Sequence, residues 1–222
     1  MTLLRWHRLG ALGVGLVALA CGGDSTEPPG PPAEVVKSGG DGQMWYFNNP
    51  LPLPYRVTVR DANGRAVRGV LVTWAFTTGD GSLSPNPSTT NSSGVATTIH
   101  TLGAATTYVV TATVAGLPSV PFSPTASAPP TSAAVDVRDN TFYPPNVVVQ
   151  TGGTVTWTQT GSAAHNVTFG SGPTTPATIS ETNLATGTVD SRTRTLTAVG
   201  TYNYSCTHHA GAGMTGTVTV VN

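Results

Sequence analysis

From Val35 to about residue 126, apolar and polar positions alternate in short runs broken by turn residues. Tyr55, Val57 and Val59 alternate with polar neighbours, a period of two that sets every other side chain on one face of a strand. Asp61-Ala62-Asn63-Gly64 then predicts a hairpin turn. Val70, Val72, Trp74 and Phe76 mark the inward face of the next strand, which Gly79-Asp80-Gly81 ends. Val95, Thr97 and Ile99, and later Tyr108, Val110, Ala112 and Val114, continue the series. No segment of helical period intervenes, so residues 34–126 are predicted to form an antiparallel β-sandwich with Trp74 in its core. His100 has no second ligand-bearing residue near it and is assigned to an exposed strand position.

A second β-pattern follows the Ala/Ser/Pro-rich stretch 127–133, which is taken as a linker. Across 134–222, Val135 and Val137 alternate, Val147 to Val149 form a buried run, and Val155 alternates with Trp157. Tyr202, Tyr204 and Cys206 share one face, and Thr217 to Val221 form a last strand. The fold class is therefore all-β, as two sandwiches in tandem. The second is long enough for a small sandwich and too short for a large enzyme.

Composition narrows the function. Only 9% of residues are charged, against about 25% in an ordinary soluble domain, and the formal net charge is +0. Such a chain lacks the basic footprint of a nucleic-acid binder. The N-terminus reads as an address: Arg5 and Arg8 precede the uncharged run Gly10 to Ala20, which is too short to span a bilayer. Residues 1–20 are assigned to a secretory signal peptide. Ala18-Leu19-Ala20 before Cys21 resembles the bacterial lipoprotein signal, although Ala18 stands where that signal usually has Leu. Cys21 is the expected lipidation site, and 21–33, with Pro28, Pro29, Pro31 and Pro32, the tether to a membrane. The protein is accordingly expected to be exported, periplasmic or on the cell surface, and monomeric.

Only two cysteines occur, Cys21 and Cys206; with Cys21 lipidated, Cys206 has no disulfide partner, and metal binding explains it best. Cys206 is followed by His209 and Met214, with two and four residues between them, and His165 lies upstream. Two His and one Cys with a weak axial Met suit an ion that cycles between Cu(I) and Cu(II). Gly211 and Gly213 let the loop close tightly. Other copper chemistries fail on counts: Cys206 is alone, and 134–222 holds only His165, His208 and His209. No acid pair or Ser/His/Asp set appears, so the protein is not expected to be an enzyme.

These motifs carry two resemblances. Residues 134–222 resemble plastocyanin and its cupredoxin relatives through Phe142-Tyr-Pro-Pro, Gly152-Gly-Thr-Val-Thr-Trp157, His165-Asn-Val, Gly200-Thr-Tyr and Cys206-x-x-His-x-x-x-x-Met214. That resemblance implies a Greek-key sandwich with one type 1 copper, held by His165, Cys206, His209 and Met214. It also implies that the main-chain N–H of Asn166 bonds the Cys sulfur, and that the domain passes single electrons to a transient partner such as a c-type cytochrome. Plastocyanins usually have Pro where His208 stands; His209 keeps the spacing to Met214, which leaves His208 to the loop surface. Ser205 replaces the Tyr that leads to an acidic docking patch in plants, and with few acids here docking falls to the uncharged end around His209, Ala210 and Ala212. Residues 34–126 resemble bacterial Ig-like domains of invasin type through Asp61-Ala-Asn-Gly, Trp74, Gly79-Asp-Gly-Ser-Leu83 and Ser93-Gly-Val-Ala96. That half is expected to be a spacer. Adhesion through it, or copper sequestration or delivery, are the rival readings.

Overall fold

The computed structural model describes residues 28–181, 184 and 190–222. The expected signal peptide, Cys21 and the first part of the expected tether lie outside the described residues. None of the described helices is long and apolar enough to cross a membrane. Apart from a 3-10 turn, the regular structure described is all β.

The first domain contains β1 (Glu34–Gly39), β2 (Met44–Tyr46), β3 (Tyr55–Arg60), β4 (Leu71–Thr78), β5 (Gly81–Ser84), β6 (Ser88–Thr89), β7 (Val95–Leu102), β8 (Val109–Thr113), β9 (Val120–Phe122) and β10 (Thr125–Ser127). Two four-stranded sheets, ordered β1-β3-β7-β5 and β6-β4-β8-β9, pack face to face, and β10 pairs with β2 in parallel. Tyr55, Val57 and Val59 face Val72, Trp74, Val110, Ala112 and Phe122, all buried. The Tyr55 and Phe122 rings lie 4.6 Å apart by centroid.

One expectation for this domain holds and two are corrected. The Asp61 turn is the expected hairpin: Arg60 and Ala66 are antiparallel bridge partners, Asp61 N–H donates to the Arg65 carbonyl (2.9 Å) and Val67 N–H to the Val59 carbonyl (3.0 Å), and only afterwards does the chain pass to β4 in the opposite sheet. The turn is built on the Asp61 carboxylate. That carboxylate accepts the N–H groups of Gly30 (2.9 Å), Asn63 (2.9 Å) and Arg65 (2.8 Å). In β7 the inward phase is the other one: Ala96, Thr98, His100 and Leu102 are buried, and Ile99 is 45% exposed. Register explains it, since Ala96 pairs with Val57 and Thr98 with Tyr55, and residues directly opposite share a face.

His100 is thus fully buried rather than exposed. Its Nδ1 lies 2.9 Å from the Tyr55 hydroxyl and its Nε2 3.1 Å from the Asp80 carbonyl. The ring serves as a neutral bridge, donating from Nε2 and accepting at Nδ1, and burial pushes its pKa below the ordinary histidine value.

The second domain contains β11 (Ser132–Arg138), β12 (Thr141–Tyr143), β13 (Asn146–Gln150), β14 (Gly153–Gln159), β15 (Thr168–Ser171), β16 (Ser191–Leu196), β17 (Gly200–Ser205) and β18 (Thr215–Val221). Its sheets run β12-β11-β14-β16 and β13-β18-β17-β15. The pairs β11·β14 and β13·β18 are parallel, and the rest antiparallel. Val135, Val137, Val149, Val155, Trp157, Tyr202, Tyr204, Val218 and Val220 fill the space between them.

Between the domains the chain is short of slack. Strand β10 ends at Ser127, and the carbonyls of Pro130 and Thr131 already accept N–H bonds from Gln150 (2.8 Å) and Thr154 (3.0 Å). A second tie closes from the far end of the second domain. The buried Asn49 amide accepts the Asn222 N–H at 3.0 Å and donates to the Asn222 carbonyl at 3.1 Å. This reciprocal pair ties the last residue of the second sandwich to the first. Asn49→Ala is expected to release it: small-angle scattering should show a broader distribution of sizes than wild type, while each domain keeps its own fold. An unchanged profile would show that the amide pair does not restrain the two domains.

Candidate metal centre

Two loops meet at one end of the second sandwich. The first, between β14 and β15, is shaped from both sides. Gln159 donates its amide to the carbonyls of Gly161 (3.0 Å) and Ala163 (2.8 Å). From the other side the Asp139 carboxylate accepts Ser162 N–H (2.7 Å), Ser162 Oγ–H (2.8 Å) and Ala163 N–H (2.9 Å). Gly161 is required here, because a Cβ would stand 2.5 Å from Asp139 Oδ1 and 2.6 Å from the Asp139 nitrogen. Past this point the chain turns inward, and Val167 locks against Ile179 through two 2.9 Å backbone bonds. His165, between these restraints, is delivered into the interior with no exposed surface.

The second loop joins β17 to β18. Cys206 N–H donates to the Met214 carbonyl (3.1 Å), closing its mouth, and Met214 N–H donates to the His209 carbonyl (3.2 Å). Within it, His209 N–H donates to the Cys206 carbonyl (3.2 Å), and Ala210–Ala212 form a single 3-10 turn ended by Gly213 at φ 82°. That left-handed backbone suits glycine and lets so short a loop return on itself. The two loops are sewn together by Asn166, whose side chain donates to Thr207 Oγ1 (2.7 Å) and accepts Thr207 N–H (2.9 Å).

These restraints bring three of the expected residues into one cluster. The donor atoms of His165, Cys206 and His209 all lie within 4.8 Å of one another. Cys206 Sγ stands 3.7 Å from His165 Nδ1 and 3.6 Å from His209 Nδ1, and the two rings are 4.8 Å apart by centroid at 53°. One ion bonded to nitrogen at about 2.0 Å and sulfur at about 2.3 Å in a trigonal arrangement would hold N and S about 3.7 Å apart. The cluster fits that separation. Cys206 is in no disulfide among the described residues. Burial, and then the facing His209 ring, push His165 below the ordinary histidine pKa, which leaves its ring neutral with a lone pair to give.

Met214 is fully buried at the loop's other end, tied through its backbone to Cys206 and His209. His209 is half-buried, and Ala210 to Gly213 around it are exposed. His208 points elsewhere: its Nε2 lies 2.8 Å from Glu181 Oε2 and its side chain is half-exposed. Beneath the cluster Tyr204 packs edge-on to Trp157 (5.4 Å) and Phe142 (4.9 Å), and burial pushes its phenol up to about 12. Residue spacing had not flagged Asp139, which lies 3.8 Å from His165 Nε2. Only the β11–β12 hairpin, turning through Asn140 at φ 60°, carries it there.

Comparison with known proteins agrees with this geometry. Residues 131–221 match the family "Copper binding proteins, plastocyanin/azurin family", and residues 51–127 match the bacterial Ig-like domain, group 1. The chain is 35% identical to plastocyanin of Prochlorothrix hollandica over 43% of its own length and 79% of that protein. It is 37% identical to amicyanin-alpha of Methylorubrum extorquens, over 37% of this chain and 67% of that one. The oxidised plastocyanin structure of Dryopteris crassirhizoma is covered over 99% of its length by 40% of this chain, at 31% identity and a TM-score of 0.35. Through its second sandwich, then, the chain belongs to the plastocyanin/azurin family of copper-binding proteins, with a bacterial Ig-like domain ahead of it.

Proposed function

We propose that the protein is an exported, lipid-anchored single-electron carrier whose copper is held by His165, Cys206, His209 and Met214. One observation carries the reading: the Cys206 sulfur and one ring nitrogen each of His165 and His209 converge within 4.8 Å, two of the three residues fully buried. Bound copper supplies one-electron chemistry, Cu(II) to Cu(I) and back. The chain's own part is to keep the donors still. Loop 206–214 is closed by backbone bonds at its mouth and within it, and Asn166 fastens it to the His165 loop. Donors so restrained move little when the charge of the ion changes, so reorganisation stays small. Buried His165 and Met214 exclude water, while the half-buried His209, ringed by exposed Ala210 and Ala212, offers the edge for a transient partner such as a c-type cytochrome. A carrier rather than an enzyme follows from a donor set that leaves no open position for substrate.

Export and anchoring rest on Cys21 after Ala18-Leu19-Ala20, and the Ig-like half is read as the spacer. The test is the visible spectrum of the copper-loaded full chain, with stoichiometry. One copper and an intense blue band are expected, unchanged in His208→Ala and lost in His209→Ala. A colourless His208→Ala beside a blue His209→Ala would overturn the ligand set. Facile copper loss to a chelator would favour delivery over electron transfer.

A further inference from the structure

A neutral imidazole keeps one ring proton, and the nitrogen that carries it decides which nitrogen can bind a metal. In His165, Nδ1 faces the Cys206 sulfur at 3.7 Å, so the proton belongs on Nε2. That atom is fully buried and has no hydrogen-bond partner among the described residues. A buried N–H in that state costs free energy until it finds an acceptor. The near carboxylate is Asp139, with Oδ1 at 3.8 Å, just beyond hydrogen-bond reach. Three bonds from Ser162 and Ala163 hold that carboxylate at the mouth of the His165 loop. An aspartate carboxyl in its ordinary range is ionised at neutral pH and accepts at both oxygens.

We infer that Asp139 is a positioning residue of the copper site: its carboxylate takes the Nε2–H of His165, fixing the ring's tautomer and orientation. The inference rests on His165 being a copper ligand. A small rotation of the ring or the carboxylate closes the gap, and Gly161, without a Cβ, leaves the approach free. Metal-bound histidines use their second nitrogen this way, and the partner raises the basicity of the bonded one. Asp139 also places a negative charge behind a ligand. A negative charge favours the more highly charged ion, so Asp139 holds the reduction potential down.

The experiment compares wild type with Asp139→Asn and Asp139→Glu in the full chain. Asn keeps an oxygen for the Ser162 and Ala163 N–H groups, so the loop survives, but it loses the charge. Asp139→Asn is expected to keep copper and colour while its reduction potential rises, and Asp139→Glu to return the potential toward wild type. Nitrogen NMR of the metal-free wild type should show His165 protonated at Nε2. An unshifted potential in Asp139→Asn, or a metal-free His165 protonated at Nδ1, would overturn the role. Failure of the copper reading has a different signature: wild type would then take up no copper and show no blue band.

Discussion

A Cys206→Ser chain loaded with copper is expected to be colourless. The blue absorption of such a site is charge transfer out of a thiolate, and a serine hydroxyl is not ionised at neutral pH and is a harder donor. Nothing nearby can stand in for the sulfur, since Cys206 is fully buried and is the only cysteine of the second domain. Copper affinity should fall with the colour, and absorption titration with cupric ion checks both. Met214→Leu makes the contrast. A thioether is a weak donor that would mainly adjust the potential of a bound copper, so this variant should stay blue with a higher potential. A blue Cys206→Ser protein would remove the thiolate from the assignment.

Trp157→Ala is expected to destabilise the second domain by about 3–5 kcal/mol, the usual cost of emptying a large aromatic position in a core. Trp157 is fully buried and meets Phe169 edge-on at 5.7 Å and Tyr204 edge-on at 5.4 Å. Whole-domain stability is only about 5–15 kcal/mol, so thermal unfolding should begin more than about 10 °C earlier. Tyr204 is two residues from Cys206 on the same strand face, so loss of its support should also broaden the copper spectrum. Trp157→Phe, which keeps an aromatic ring, should retain most of the stability. A melting curve followed by circular dichroism separates the two; equal midpoints for Trp157→Ala and wild type would show that the site is not supported from beneath.

Where the inward face of a strand is apolar, alternation alone placed it. Tyr55, Val57 and Val59 in β3, and Val72 and Trp74 in β4, are buried as the pattern implies. Strand β7 misled because its inner face carries Thr98 and His100, and the His100 ring is made tolerable there by the Tyr55 hydroxyl and the Asp80 carbonyl, partners that no local pattern displays. The Asp61 hairpin was visible, but not that the chain passes afterwards to the other sheet, since a turn motif says nothing of which strands pair beyond it. At the metal end, Cys206, His209 and Met214 were legible because one short loop sets their spacing. His165 was legible from its neighbours. Asp139 was not, for it reaches His165 only through a hairpin whose neighbour in space is distant in sequence.

The tie between Asn49 and Asn222 has a consequence for reach. Strand β18 runs from the copper loop at Thr215 to that tie, so the metal lies at the opposite pole of its sandwich, about 23 Å away at 3.3 Å per residue. Strand β7 runs from the turn beside Gly30 and Asp61 toward Asn49, adding about 26 Å. The two strands together span at most about 50 Å between the Asp61 turn and the copper loop, with the Asn49–Asn222 tie between them. Under the proposed anchoring at Cys21, that span adds to the tether in bounding the height at which a partner can meet the copper edge, and lengthening the tether would raise that bound.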